Sequence, residues 1–188
     1  MCIRDRDDTV LVVGQGSIGV ILAALAKRTG AIVYTSDFYA ERHKVAAGYG
    51  LNKPLNAEDD VVKIGREATD GRGFDVVLVA VGSDKLITMA MEAVRPGGRV
   101  MLFASTQHGT APFDPAAVCM DEKTLMGSYS ASVAIQQEGI DLVFDGYRDG
   151  TLDLTKLISH RFSLEECAAA VDLAAHPVAT SMKIVLKP

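Results

Sequence analysis

The sequence predicts an α/β protein built on a doubly wound parallel sheet of about six strands, with helices on both faces. Three observations predict it. Strand-like and helix-like patterns alternate, with strands recurring roughly every 30 residues, as in parallel sheets joined by crossover helices. Two of the strand segments, Thr9 to Val13 (TVLVV) and Phe74 to Val81 (FDVVLVAV), are nearly unbroken apolar runs. Strands covered by helices on both faces read that way. A glycine-rich hexapeptide lies between the first strand and the first helix.

The elements follow in order. Thr9 to Val13 is a β-branched run that ends at a glycine, and Ser17 to Thr29, rich in Ala, Leu and Ile, is a helix stopped by Gly30. Ala31 to Thr35 is the second strand. Tyr39 to Ala47 is a charged amphipathic helix closed by Gly48, and Ala57 to Thr69 is another, with Asp59 and Asp60 suited to the positive end of its dipole. Phe74 to Val81 is the third strand and Leu86 to Val94 the next helix. Pro96-Gly97-Gly98 predicts a tight turn into a strand over Arg99 to Phe103. Residues 105–115 read as loop. Beyond them the pattern changes: a sixth strand over Leu125 to Ser130, a long helix over Val133 to Arg148, and a helix opened by Ser163 with Glu166 at the capping-box position. Met182 to Leu186 is a final short strand.

Composition excludes several classes. Of 188 residues, 48% are apolar and 23% charged, which is neither a disordered nor a collagen-like balance. The net charge of −5 leaves no basic surplus for nucleic acid or an anionic membrane surface. The longest apolar stretch, Val20 to Ala26, falls far short of the roughly 18 residues that span a bilayer. Cys2, Cys119 and Cys167 are odd in number and widely spaced. They form neither a zinc pattern nor a disulfide framework, and the start of the chain lacks an apolar leader, so a cytoplasmic setting is expected. Met1 to Arg6 (MCIRDR) has no periodicity and matches the translation of a sequencing-library adapter. These residues are expected to be foreign to the natural chain, which is expected to continue upstream.

The sharpest signal is Gly14-Gln15-Gly16-Ser17-Ile18-Gly19, which follows a strand and opens a helix. In that context GxGxxG reads as a dinucleotide site. Gly14 permits the turn, Gly16 lets a pyrophosphate approach the backbone, and Gly19 lets the helix pack against the strand. The helix start offers unpaired N–H groups to the anion. Asp37, at the end of the second strand, is placed to accept hydrogen bonds from the adenosine ribose and to repel the 2′-phosphate of NADP, so NAD is the expected cofactor. Arg42 either reaches the ribose edge or is a solvated helix residue. Ala80, Val81 and Gly82 end one strand, and Phe103 to Ser105 end the next. They are candidates to line the adenine and nicotinamide slots. Ser36, Tyr49 and Lys53 mimic a short-chain dehydrogenase set but follow the glycine motif too closely. His43 is expected to be solvated on a charged helix face, His108 to lie in a surface loop, His160 to be structural, and Cys119 and Cys167 to be buried thiols.

The segments VLVVGQGSIG, TSDFYAERHKVA, GRGFDVVLVAVG, VRPGGRVMLFAS, EKTLMGSYSAS, LISHRFSLEECAAAVDLA and SMKIVL together resemble the zinc-dependent medium-chain alcohol dehydrogenases, most of all the sorbitol and threonine dehydrogenase type. The resemblance covers nearly all of residues 8–188. It implies a Rossmann NAD-binding domain over residues 7–130. It also implies a segment, 131–188, that completes a catalytic domain whose larger part lies upstream. It implies an oxidoreductase in which catalytic zinc polarises an alcohol or polyol and hydride passes to NAD. Gly14, Gly16, Gly19 and Asp37 would bind NAD, with Ser17 and Ile18 giving N–H groups to the pyrophosphate. Arg42 would lie near the ribose and Lys183 near the pyrophosphate, with Ser128 to Ser130 flanking the nicotinamide. The zinc ligands and proton relay of the family lie upstream of the first strand, so the chain carries no catalytic or metal residue of its own and is expected to bind NAD without oxidising alcohols. Homo-oligomers would form through the sixth strand. Two other readings stand beside this one. One is a zinc-free quinone-reductase-like relative, against which Asp37 argues; the other is a non-catalytic NAD(H)-sensing module.

Overall fold

A computed structural model describes residues 7–104 and 108–188. The elements run β1 (Thr9–Val13), α1 (Ser17–Arg28), β2 (Ile32–Asp37), α2 (Ala40–Ala47), β3 (Pro54–Asn56), α3 (Val61–Glu67), β4 (Phe74–Val79) and α4 (Asp84–Ala93). They continue with β5 (Val94–Leu102), α5 (Pro115–Cys119), β6 (Thr124–Gly127), α6 (Val133–Arg148), a 3₁₀ turn (Leu154–Leu157), β7 (Ile158–Ser163), α7 (Cys167–Ala175) and β8 (Lys183–Lys187). No helix among the described residues is long and apolar enough to cross a membrane.

The six-stranded sheet has the order β3-β2-β1-β4-β5-β6, and every pairing in it is parallel. β1 and β4 are the central strands and all their residues are buried. Side chains alternate between the faces. Val10 and Val12 join the cluster under α1 and α2 with Val20, Ala23 and Ala46, while Leu11 and Val13 join the one under α3 and α4 with Val61, Ala90 and Met91. The chain builds outward from β1 to β3, then returns past β1 to build β4 to β6. The loops after β1 and β4 therefore diverge at the carboxyl edge, leaving the crevice in which such sheets take ligands.

The C-terminal segment packs back on the first cluster through Leu154, Leu157 and Met182. Tyr49, after α2, donates to the Asp153 carbonyl at 2.7 Å. Burial, and secondarily the Asp153 charge, push the Tyr49 hydroxyl up to about 12, so it remains a donor. Arg28 bonds the Thr151 hydroxyl. β7 and β8 form a separate parallel pair.

Four sequence expectations need correction. Residues 57–60 are not helical. Pro54–Asn56 is a short edge strand, and α3 starts only at Val61, with Asp60 capping it by accepting from Lys63 N at 2.9 Å and Asp59 accepting from Asn56 N at 2.7 Å. Pro96-Gly97-Gly98 does not precede the strand but lies inside it. Register slips from Phe74↔Val94 to Val76↔Arg99, so the turn is absorbed as a bulge with Gly97 at φ +68°. Ser163 ends β7 rather than capping α7, although Glu166 reaches back to its N–H at 2.9 Å. Cys119 and Cys167 are exposed, because α5 and the first turn of α7 present them outward from the core.

Candidate functional site

The loop after β1 is set by three different glycine requirements. Gly14 has φ +89°, and a Cβ there would meet Val81 Cγ2 at 2.1 Å. At Gly19 a Cβ would meet the Gly14 carbonyl oxygen at 1.7 Å, so helix and loop touch backbone to backbone. Gly16 is different: a Cβ there would find nothing within 4 Å. The protein's own packing does not require a glycine at this position. α1 begins at Ser17 with no side-chain cap on its first turn. The dipole and free N–H groups of a 12-residue helix thus favour an anion at this end.

Gly16, Ser17, Ile18 and Gly19 form one wall of an open groove of about 400 Å³, with Arg42, Ala80 and Lys183 also lining it. The opposite wall comes from Leu173, Ala174, Pro177, Ser181, Met182 and Ile184. Sequence reasoning missed this second wall apart from Lys183. No local signal marks it, since its role depends on a contact between segments far apart in the chain. The groove also draws on both sides of the boundary expected near residue 130.

Asp37 ends β2 with a carboxylate that is only 5% exposed. Its Oδ2 accepts from Gln15 N at 2.7 Å and from Arg42 Nη1 at 3.3 Å, and its Oδ1 from Tyr39 N at 3.0 Å. Arg42 is therefore not a solvated helix residue. Its guanidinium lies 4.7 Å from the centre of the Tyr39 ring, and Nη2 donates to the Ser181 carbonyl at 3.4 Å. Its Nε is buried without a partner. A cation held by two long hydrogen bonds, with a donor to spare, suits a polar ligand in the groove. His43 is likewise not solvated: Nε2 lies 3.2 Å from the Asp37 carbonyl oxygen and Nδ1 is buried. The helix face that looked charged in sequence packs its His43 position against β2.

The other predicted residues divide. Val81 packs on the Gly14 loop, and Gly82 lies close under the Ala104 carbonyl. Phe103 donates its N–H to Val79 and Ser128 to Leu102, which holds both at the carboxyl edge of the sheet. Ser130 is exposed beyond β6, and Ser105 lies outside the described residues. Of the short-chain mimic set, Tyr49 donates to the Asp153 carbonyl and the Lys53 ammonium lies 5.0 Å from the centre of the Tyr34 ring, while Ser36 is buried in β2 with its main-chain carbonyl accepting from Gly14 N. His108 is exposed, as expected of a surface loop, and His160 stacks on Phe162.

A family profile described as zinc-binding dehydrogenase matches residues 17–145, more than half the chain. The chain belongs to the zinc-binding dehydrogenase family. It is 28% identical over 176 residues to a D-xylulose reductase of Scheffersomyces stipitis, covering 88% of this chain and 47% of that protein. It is 30% identical to an L-threonine 3-dehydrogenase of Anaeromyxobacter dehalogenans, with the same coverage. Among solved structures, the alcohol dehydrogenase TADH of Thermus sp. ATN1 matches with TM-score 0.79 and 31% identity, over 96% of this chain and 51% of that one. An alcohol dehydrogenase of Thermotoga maritima matches with TM-score 0.85 and 26% identity, over 96% and 50%. This family member thus spans about half the length of the curated relatives it matches.

The two groups that the family implies fare differently in this dehydrogenase-family chain. The open backbone at Gly16, the uncapped helix and the unpartnered Arg42 Nε fit a dinucleotide. Catalytic zinc does not fit the residues at hand: among the described residues, no group of three or more His, Cys, Asp or Glu could hold a metal ion.

Proposed function

We propose that this chain is the NAD-binding part of an alcohol or polyol dehydrogenase whose zinc ligands, proton relay and most of whose substrate pocket lie in residues outside it. In this reading residues 7–130 form the nucleotide-binding domain, and 131–188 both wall the groove and complete the catalytic domain. The observation that carries the reading is the placing of Asp37. A buried carboxylate stands at the end of β2, tied to the amide of Gln15 inside the glycine loop.

Bound NAD would supply a hydride acceptor. The chain's own residues would hold it. Gly16 admits the pyrophosphate against the backbone, the start of α1 and Lys183 balance its charge, and Asp37 accepts from ribose hydroxyls. Asp37 also repels a 2′-phosphate. Arg42 already gives Nη1 to Asp37 and Nη2 to Ser181, which leaves only its buried Nε for a ligand. A relative at 28% identity is named an NADP-dependent isopropanol dehydrogenase. Fluorescence titration is expected to show NADH binding at least about tenfold tighter than NADPH, the effect of about 1.4 kcal/mol. Equal or reversed affinities would sink the NAD assignment.

The same proposal sets an expectation for turnover. Supplied with zinc, sorbitol and NAD, the purified 188-residue chain is expected to bind cofactor without forming NADH. Reduction at about 1 s⁻¹ or faster, the lower end of ordinary enzyme rates, would place the catalytic machinery within this chain.

A further inference from the structure

Four buried side-chain polar atoms among the described residues have no hydrogen-bond partner: Gln15 Oε1, Thr35 Oγ1, Arg42 Nε and His43 Nδ1. Such atoms are rare in folded proteins and each needs a reason. For His43 the reason lies on the other side of its ring. Nε2 is 3.2 Å from the Asp37 carbonyl oxygen. A carbonyl can only accept, so Nε2 carries a proton, and Nδ1 faces the interior without a partner. A phenylalanine would fill similar space without that unpaired nitrogen.

We propose that His43 is a positioning residue for the nucleotide site, fixing the main chain at Asp37 so that its carboxylate meets the ribose at a set angle. The importance of that angle rests on the NAD reading above. Helix α2 holds Asp37 at two points through consecutive residues. Arg42 Nη1 meets the carboxylate at 3.3 Å, and His43 meets the carbonyl. The same carbonyl accepts from Ala57 N at 3.1 Å, which ties it to the far side of the loop as well. With the carbonyl fixed, the carboxylate keeps only its side-chain torsions, and the amides of Gln15 and Tyr39 hold those. Without His43, the end of β2 would lose its link to α2 on the main-chain side, and the Gln15 and Tyr39 hydrogen bonds would open more often.

The test uses His43→Phe and His43→Gln in the 188-residue chain. Gln restores a donor at a reach close to that of Nε2. Three quantities are read: the urea midpoint, amide hydrogen exchange at Gln15 and Tyr39 by NMR, and the NADH dissociation constant. His43→Phe is expected to leave the midpoint unchanged or raised, because the unpaired nitrogen is gone. Exchange at the two amides is expected to speed up, and NADH binding to weaken, each by about fivefold, the loss of one ordinary hydrogen bond. His43→Gln is expected to bring both back. A merely structural histidine would instead lower the midpoint and leave the two amides no more affected than the rest of β2; that result overturns the proposal. So does unchanged exchange at Gln15 and Tyr39. Should the unaltered chain fail to bind NADH, the nucleotide reading falls, and the exchange data still decide the role of His43.

Discussion

Gly19→Ala is expected to lower the urea midpoint sharply and to abolish NADH binding. The added methyl would sit 1.7 Å from the Gly14 carbonyl oxygen and 2.8 Å from its carbon. Both are backbone atoms, so no side chain can swing aside. Gly14 cannot retreat either. Its N–H is bonded to the Ser36 carbonyl at 2.8 Å, and Val81 presses on its other side. Relief therefore requires α1 to move off β1, where Val20 and Ala23 are fully buried. Overpacking usually costs 1–3 kcal/mol, and this backbone clash should reach about 3 kcal/mol or more. That is a large share of the roughly 5–15 kcal/mol that stabilises a domain. Gly16→Ala is the informative contrast. With nothing within 4 Å, it should shift stability by no more than about 1 kcal/mol. NADH binding should still fall, because the methyl occupies the approach of the pyrophosphate. Matching midpoints for the two variants would show that the helix does not touch the loop as described.

The second large effect concerns the opposite end of the sheet. Asp75 on β4 is 8% exposed. Its Oδ2 accepts from Thr9 N and Thr9 Oγ1, both at 2.7 Å, and its Oδ1 from Arg95 Nε at 2.5 Å. Burial alone would raise its pKa. The hydrogen bonds from Arg95 and from the Thr9 backbone and hydroxyl, with the Arg95 charge, outweigh burial and hold the carboxyl below its usual value. A depressed folded-state pKa means that the unfolded chain takes up the proton first as pH falls. The stabilisation is therefore complete above the unfolded value of about 3.9 and is lost as pH drops through the lower folded value. Asp75→Asn is expected to cost about 2 kcal/mol at neutral pH. The gap between its urea midpoint and that of the unaltered chain should narrow below about pH 4. A gap that stays constant on acidification would exclude the ionised carboxylate as its source. NADH affinity should be untouched, since Asp75 pairs with Thr9 at the start of β1 while the glycine loop follows its end.

Particular elements show where the pattern of residues was readable and where it was not. β1 and β4 are buried on both faces, so burial itself required an unbroken apolar run. α6 carries a serine before its first turn, and Ser132 Oγ does accept from Ile135 N; its bounds were legible from composition and length. β3 was not. Three residues, Pro54-Leu55-Asn56, hold an edge position by backbone pairing with β2 and need no apolar pattern of their own. β7 was missed for a related reason. Its run, ISHRFS, is mixed in polarity and becomes a strand only because β8 returns to pair with it. His43 was misjudged because its neighbours are charged, although its ring turns toward β2.

The sequence by itself determined the α/β class, the glycine loop, the acid at the end of β2 and the family. These follow from local rules: which residues tolerate positive φ or close backbone approach, and which can be buried on both faces of a sheet. Only the tertiary structure decided the rest. Residues 173–184 close one side of the groove, Arg42 is shared between Asp37 and Ser181, and His43 grips the Asp37 carbonyl. Each of these depends on contacts between segments that become neighbours only when the sheet assembles. Spacing along the chain carries no record of such contacts.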